Sequence, residues 1–576
     1  MVIVTARGRA TYLPGVAVLA GYRREWLRGD LLAGVAVAAY LVPQVMAYSG
    51  IAGLPPQTGL WACLGSLAIY AVLGSSRQLS VGPESTTALM TATAVAPLAL
   101  GDPVRHAALA AGLALVVGVI CLVGGLLRAG SLADLLSQPV LVGYMAGIAV
   151  IMIIGQLGAV TGVPMEGDSP PAEVASFLSG LAGAHLPTVA LALSLLVGMI
   201  VGTKLRPTWP VPMIGMLAAT AVVAAFSLDA LGVRLVGSSV SGLPVPGLPA
   251  LSAHDVASLL LPAVGVAIVG YSDNVLTGRA FATRHGQTVQ GTAEIVALGA
   301  ANLAAGVLRG FPVSSSGSRT AIGDAQGSRT QLHSLVALVL VVVVLVAGGA
   351  LLSRFPRAAL GAVVIYAALR LVDIAGFRRI ARFRRSEAAI AVVTMVAVLT
   401  VGVLYGVLVA VGLSVLDLLR RLARPHDGVL GYVPGIAGMH DIDDYPDAQP
   451  VPGLLVYRYD APLCFANAEN FRSRALAALE TQPEPPRWFL LNAEANVEID
   501  STAAETLEAL HDELQRRRIV LALARVKQDL RADLRAAGLL DLIGEERIFP
   551  TLPTAVEAFR SGPSPPEEPS PPKAQP

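Results

Sequence analysis

Long apolar runs separated by short polar stretches dominate the chain. Seven fall at about 31–50, 58–74, 84–100, 107–127, 137–160, 187–203 and 211–228. A second series falls at about 256–280, 291–308, 314–324, 334–352, 359–375, 387–402 and 403–419. Most come near the ~20 residues that a helix needs to cross the hydrocarbon core of a bilayer. The pattern predicts an α-helical polytopic membrane domain over 28–424 with about 14 transmembrane segments, seven plus seven. Seven is odd, so the halves enter the membrane in opposite senses, as an inverted repeat. A Gly/Pro-rich connection over 234–255 joins them.

The periodicity changes after the last run. Pro, Gly and Asp dominate 425–450, which reads as a linker. Within 451–562 the strand-like runs Leu454–Tyr459, Trp488–Asn492 and Ile519–Ala524 alternate with helix-like ones at Asn467–Leu479, Thr502–Arg516, 528–538 and 552–560. That alternation predicts a small soluble α/β domain. Residues 1–27 read as a cytoplasmic N-terminal arm with an interfacial helix around Tyr22 and Trp26. The Pro/Ser/Glu-rich end, 563–576, reads as a disordered tail.

Composition agrees with that division. The 576 residues are 54% hydrophobic and 14% charged, with a mean hydropathy of +0.65. A net charge of +1 implies no nucleic-acid partner. Cys63, Cys121 and Cys464 are spaced for neither a disulfide framework nor a metal cluster. There is no Walker-type phosphate loop, so ATP hydrolysis is not expected, and the reading includes no catalytic residue and no cofactor. No cleavable signal precedes the first apolar run, which is expected to remain a membrane span. Arg77, Arg128, Lys204, Arg206 and the arginines within 378–385 and 420–424 fall on the same side as the arginine-rich N-terminus. That excess predicts a multi-pass protein of the cytoplasmic membrane with its N-terminus and α/β domain in the cytoplasm. The opposite loop, 161–186, is acidic at Glu166, Asp168 and Glu173, while Arg354 and Arg357 run against the scheme.

The candidate chemistry lies where apolar runs are broken. The third run opens on Val81-Gly-Pro-Glu84-Ser85-Thr-Thr87, and the tenth on Phe311-Pro-Val-Ser314-Ser315-Ser316-Gly317-Ser318-Arg319. Each is a Gly/Pro-interrupted, hydroxyl-rich start to a short helix, at matching places in the two halves. Irregular backbone at membrane depth survives where protein buries it or where it lines a wet cavity. A helix that begins there aims free N–H groups and the positive end of its dipole into that cavity. Arg319 adds a full charge, which is costly within a membrane and usually functional. Paired broken helices in inverted repeats point to a carrier with a midplane anion site. A channel is the weaker reading, because no long glycine filter or charged ring appears. Asp273 lies in the otherwise apolar eighth run, and Thr277, four residues on, faces the same way.

Several of these stretches resemble a known family. Leu41-Val-Pro-Gln44-Val-Met-Ala-Tyr48, then Ala52-Gly-Leu-Pro-Pro-Gln-Thr-Gly-Leu60, the tenth-run motif and Gly327-Ser-Arg-Thr-Gln331 resemble the SulP anion permeases, the solute carrier family that includes prestin. The soluble end resembles a STAS domain, with Ile499-Asp500-Ser501-Thr502 at its signature turn. The resemblance covers about residues 28 to 560. It implies core and gate domains, elevator-like alternating access and a homodimer. It also implies an anion site between the facing ends of the third and tenth helices. Here that means Glu84 and Ser85 against Ser314, Ser315, Ser316, Gly317, Ser318 and Arg319, with Gln44 and Tyr48 contributed by the first helix.

The resemblance further implies that Asp273 and Thr277 couple an ion. Bicarbonate members bind sodium with a matching Asp and Thr, and other members carry Glu there and use protons. Glu84 departs from the family pattern of small or apolar residues, and an ionised carboxylate there would repel an anion. Two carboxylates near one poorly solvated site cannot both stay charged without a cation, so one is expected to take up a proton. Asp500, Ser501 and Thr502 match a turn that is phosphorylated in anti-sigma-factor antagonists. A helix-start hydroxyl also serves as a plain N-cap, and that is the expectation here, with Asp500 and Ser501 on a surface for a regulatory protein.

The expected function is therefore secondary transport of a small anion (sulfate, bicarbonate or a dicarboxylate), with H+ as the coupling ion and Na+ as the alternative. The competing readings are sodium-coupled bicarbonate uptake and proton-coupled uptake of a neutral solute such as a nucleobase. Nucleobase symporters share the fold but generally lack a STAS domain.

Overall fold

Every one of the fourteen expected segments contains a helix. The computed structural model describes residues 14–128, 137–165, 170–207, 209–237 and 242–562. The first half of the expected N-terminal arm, the loop residues Glu166 and Asp168, and the tail 563–576 lie outside the described residues.

The first half runs α1 (Pro14–Ala20), a 3-10 turn at Arg24–Trp26, α2 (Leu27–Ile51), α3 (Gln57–Leu73), β1 (Val81–Gly82), α4 (Ser85–Ala99), α5 (Pro103–Leu126), α6 (Gln138–Thr161), α7 (Pro170–Gly180), α8 (Leu186–Leu205) and α9 (Val211–Ala225). The second runs α10 (Ala253–Arg284), α11 (Gly291–Val307), β2 (Ser314–Ser315), α12 (Gly317–Ala325), α13 (Leu332–Ala347), α14 (Gly349–Leu352), α15 (Arg357–Leu371), α16 (Ile374–Phe383), α17 (Arg385–Val401) and α18 (Val403–Ala423). One group of helices packs around α11, with α3 and α5 against it, and around α2 with α13; another packs around α6, with α15 and α17. Small residues allow the closest approach. A Cβ built on Gly299 of α11 would lie 2.9 Å from the Gly118 carbonyl of α5.

Two helices depart from the sequence reading because neither is a long apolar run. α7 occupies the loop opposite the arginine-rich side. α16 carries Arg378, Arg379 and Arg382, read from sequence as loop charges. Asp373 caps it, accepting from the Gly376 N–H at 2.7 Å, and its Ile374, Phe377 and Ile380 lie at helical spacing. The expected run at 334–352 breaks at Gly348 into α13 and α14.

A buried carboxylate that the sequence reading passed over fastens this core. Glu294 of α11 is fully buried. It accepts from the Tyr70 hydroxyl at 2.8 Å, the Ser75 N–H at 2.8 Å, the Ser75 hydroxyl at 2.6 Å, the Ser76 N–H at 3.2 Å and the Asn274 amide at 2.6 Å. It ties the α3–β1 loop to α10 and α11. Glu294→Leu strips a shared acceptor from these buried donors, so it is expected to cost about 3 kcal/mol or more. The measurement is thermal unfolding of the purified protein, and an unchanged midpoint would refute the fastening role.

The chain divides at Ser414/Val415 into two compact units. The C-terminal one holds β3 (Asp427–Tyr432), β4 (Met439–Asp441), β5 (Leu454–Tyr459), α19 (Ala468–Glu480), β6 (Trp488–Asn492), α20 (Ser501–Arg516), β7 (Val520–Ala524), α21 (Gln528–Ala536), α22 (Leu539–Ile543), β8 (Ile548–Phe549) and α23 (Leu552–Ser561). The sheet order is β4-β3-β5-β6-β7-β8, with β5 through β8 parallel and β3 antiparallel to both its neighbours. The residues 425–450, read as a linker, thus supply two strands. Their Pro, Gly and Asp content masks short strands whose stability comes from pairing rather than from their own apolar pattern. Side chains alternate across the sheet: Leu455, Tyr457 and Leu491 pack with Phe471 of α19 and Leu507 of α20, while Val456, Leu490 and Ala522 pack with Val556 and Phe559 of α23.

Candidate functional site

Two helices too short to span meet inside the membrane domain. α4 has 15 residues and α12 has 9. At 1.5 Å per residue these reach only ~22 Å and ~14 Å, against a core of ~30 Å. The chain before each is extended, and the two stretches pair antiparallel, Val81 with Ser315 and Gly82 with Ser314. The Ser316 N–H donates to the Ser80 carbonyl at 3.0 Å, and the Ser80 N–H to the Thr320 hydroxyl at 3.0 Å. Asn302 of α11 holds the entry to β2 with two backbone bonds, to the Val313 carbonyl at 3.0 Å and from the Val313 N–H at 2.9 Å. Irregular backbone at membrane depth is thereby satisfied by protein, and both helix starts are fixed at one place.

A cavity of about 300 Å³ lies at this crossing. Of the expected site residues, Tyr48, Glu84, Ser85, Asp273, Thr277, Ser315, Ser316, Gly317 and Ser318 line it. Its wall extends to Tyr40, about two turns nearer the start of α2, and to Arg370 in the last turn of α15. The Ser315 hydroxyl donates to Asp273 Oδ2 at 2.7 Å. Gly317 approaches Thr277, with a Cβ position 4.0 Å from its methyl group. α12 starts without a side-chain cap, so the positive end of its dipole faces the cavity through Gly317 and Ser318.

Glu84 has a different part from the one its charge suggested. Its carboxylate caps its own helix, accepting from the Thr86 N–H at 2.7 Å and the Ser85 hydroxyl at 2.6 Å. The acid is therefore partnered locally, and α4 presents a capped start where α12 presents an open one.

Arg319, Gln44 and Ser314 are not in the cavity wall. Arg319 is fully buried behind the strand crossing. Its Nη1 donates to the Pro83 carbonyl at 2.8 Å and to Gln44 Oε1 at 3.1 Å. Gln44 in turn donates to the Tyr48 hydroxyl at 2.8 Å. The guanidinium thus connects β1 to the aromatic wall of the cavity. Its Nε and Nη2 have no hydrogen-bond partner among the described residues, and no carboxylate there is within ion-pair distance. Its Nη2 lies 3.4 Å from the Cβ position of Gly82, so the guanidinium packs against the β1 backbone. Asp273 bonds to Ser315 and not to Arg319.

Arg370 was missed by the sequence reading. The signal was present: a charge inside the twelfth apolar run, which holds only Asp373 besides it, the same cost argument that singled out Asp273. Its Nη1 lies 3.3 Å from the Tyr366 hydroxyl, which is 2.7 Å from the Thr203 hydroxyl of α8. Asn302 and Glu294 were missed for another reason. Their roles consist of partners outside their own helix, Val313 for Asn302 and residues of α3, the α3–β1 loop and α10 for Glu294.

In the C-terminal unit the cap of α20 comes from Asp500 itself, not from a hydroxyl. Its Oδ1 accepts from the Ala503 N–H at 2.9 Å and its Oδ2 from the Phe465 N–H at 2.7 Å. Ser501 and Thr502 are exposed, since the carboxylate already satisfies the helix start.

Comparisons with known proteins agree with this architecture. A model described as the sulfate permease family matches residues 27–394, and one described as the STAS domain matches 445–555. A Mycobacterium tuberculosis protein named "Probable sulfate transporter" is 61% identical over 551 residues, covering 96% of this chain and 98% of that protein. The chloroplastic sulfate transporter 4.1 of Arabidopsis thaliana is 29% identical, over 92% of this chain and 80% of that one. The structure of the murine solute carrier 26 family member A9 anion transporter in the inward-facing state superposes with a TM-score of 0.88 at 22% identity, covering 98% of this chain and 96% of that one.

Proposed function

The chain belongs to the sulfate permease family, and from that premise we propose that it is a proton-coupled carrier of sulfate, working by elevator-type alternating access in a homodimer. The observation that carries the anion reading is the strand crossing. It fixes the open start of α12 at a cavity whose wall also holds Arg370, with the buried charge of Arg319 directly behind. Sulfate is favoured among small anions by the 61% identity to a protein of that name along nearly the whole chain.

The roles follow from the contacts. Ser316, Ser318 and the N–H groups at the start of α12 donate to the sulfate oxygens. Tyr48, steered by Gln44, closes one side. Arg370 supplies a mobile cation from the other, and Arg319 a fixed positive field. Asp273 beside Ser315 carries the proton. Glu84 and Asp273, when both are ionised, offset the two arginines. A proton on Asp273 then leaves a positive balance for a dianion. Glu84 modulates that balance through its cap. The positive-inside pattern supports a cytoplasmic N-terminus and STAS domain. The exposed hydroxyls of Ser501 and Thr502 beside Asp500 suit a regulatory partner.

The test is labelled-sulfate uptake by proteoliposomes with a proton gradient. Arg370→Ala is expected to raise the KM for sulfate about tenfold, and the melting temperature read beside it separates loss of the Tyr366 contact from loss of sulfate binding. An unchanged KM would remove Arg370 from the site.

A further inference from the structure

We propose that the groove between α8 and α9 holds one anionic phospholipid, an acyl chain lying in its apolar slot and the phosphate resting against Arg206. The groove has a volume of about 450 Å³, within the range of built ligand sites. Its lining is apolar, with Leu191, Leu195 and Met199 of α8 facing Ile214 and Val222 of α9, and it opens beside Gly198 of α8. A Cβ at Gly198 would meet no atom within 4 Å. The slot is therefore space left open along a spanning helix rather than a packing defect inside the core. α8 is also mostly uncovered by protein, with only 28% of its apolar window buried. Its surroundings in a membrane are lipid.

The end of the groove selects the headgroup. Arg206 and Trp209 both line it, the guanidinium 6.0 Å from the indole centroid. Lys204 is the neighbouring charge on α8. Arg206 has no carboxylate partner among the described residues, so its charge is available to an outside anion. An exposed tryptophan beside a basic residue is the usual arrangement at the membrane–water boundary. Phosphate there would meet a cation while the chain below it meets only apolar surface.

The placement matters for transport because α8 also bears Thr203. Its hydroxyl lies 2.7 Å from that of Tyr366, which accepts from Arg370 in the anion cavity. Two hydrogen bonds, Thr203 to Tyr366 and Tyr366 to Arg370, thus lead from α8 to that arginine.

The test is native mass spectrometry of the full chain, delipidated in detergent and then incubated with vesicles of phosphatidylglycerol or of phosphatidylcholine. One phosphatidylglycerol is expected to stay bound per chain, about fivefold more firmly than phosphatidylcholine, the factor that ~1 kcal/mol per surface arginine gives. Arg206→Ala should reduce phosphatidylglycerol retention to the phosphatidylcholine level. Gly198→Leu should prevent retention of both, and Ala218→Phe fills the same slot from α9 should the first variant not fold. Equal retention of the two lipids by the unaltered protein would overturn the proposal. So would retention unchanged by Arg206→Ala, or by whichever filling variant folds.

Discussion

Alanine at Arg319 is expected to lower sulfate uptake about hundredfold, the equivalent of ~3 kcal/mol for truncating a buried hydrogen-bonded charge. The effect combines two losses. The Pro83 carbonyl and Gln44 lose their donor, so the Gln44–Tyr48 bond that sets the aromatic wall loses its anchor. The fixed positive field behind α12 disappears as well. Lysine would keep the charge but not the planar fork that reaches Pro83 and Gln44 together. It should therefore recover part of the uptake. Flux in proteoliposomes, read beside the melting temperature of each variant, separates the two losses. A folded Arg319→Ala variant transporting within about twofold of the unaltered protein would show that the buried cation takes no part in transport. A variant that fails to fold, with Arg319→Lys folded but no more active than background, would assign Arg319 to the scaffold alone.

Asparagine at Asp273 is expected to abolish proton-driven accumulation while leaving sulfate exchange intact. The side chain keeps its size and can still accept from the Ser315 hydroxyl, now 2.7 Å from Oδ2, but it can no longer change charge. Accumulation up a gradient needs that change, whereas exchange of sulfate for sulfate does not. The variant should exchange sulfate at a rate insensitive to pH. Proton-driven accumulation that persists in Asp273→Asn would move the coupling site elsewhere. Loss of exchange together with accumulation would make Asp273 a substrate ligand rather than a proton carrier.

Most of the membrane architecture was legible because a spanning helix needs a long apolar run, and such runs are visible one segment at a time. The two broken helices were visible for the complementary reason, as Gly, Pro and Ser where apolar residues belong. What the sequence did not reveal was direction. Arg319 sits one residue from Ser318, yet Ser318 lines the cavity and Arg319 points behind the crossing. On a helix, adjacent positions face different ways, and the register of so short a helix is set by β1, far away in the chain. Glu84 was legible as a charge but not as a cap, because its partners are the next two residues and the helix start had to be located first. Arg370 was legible and overlooked. The strands β3 and β4 were hidden by turn-forming residues, and the pairing of β3 with β5 and of β4 with β3 explains them only after the sheet is known.

The most direct test of the account is accumulation of labelled sulfate in proteoliposomes containing only the purified chain, with an inward proton gradient and no sodium. The account predicts uptake above the equilibrium level that collapses when the gradient is dissipated and is competed by unlabelled sulfate. Uptake that requires sodium and carries no proton would contradict it and make Asp273 and Thr277 a sodium site. Absence of sulfate flux under either gradient, from protein that is folded, would contradict sulfate as the substrate.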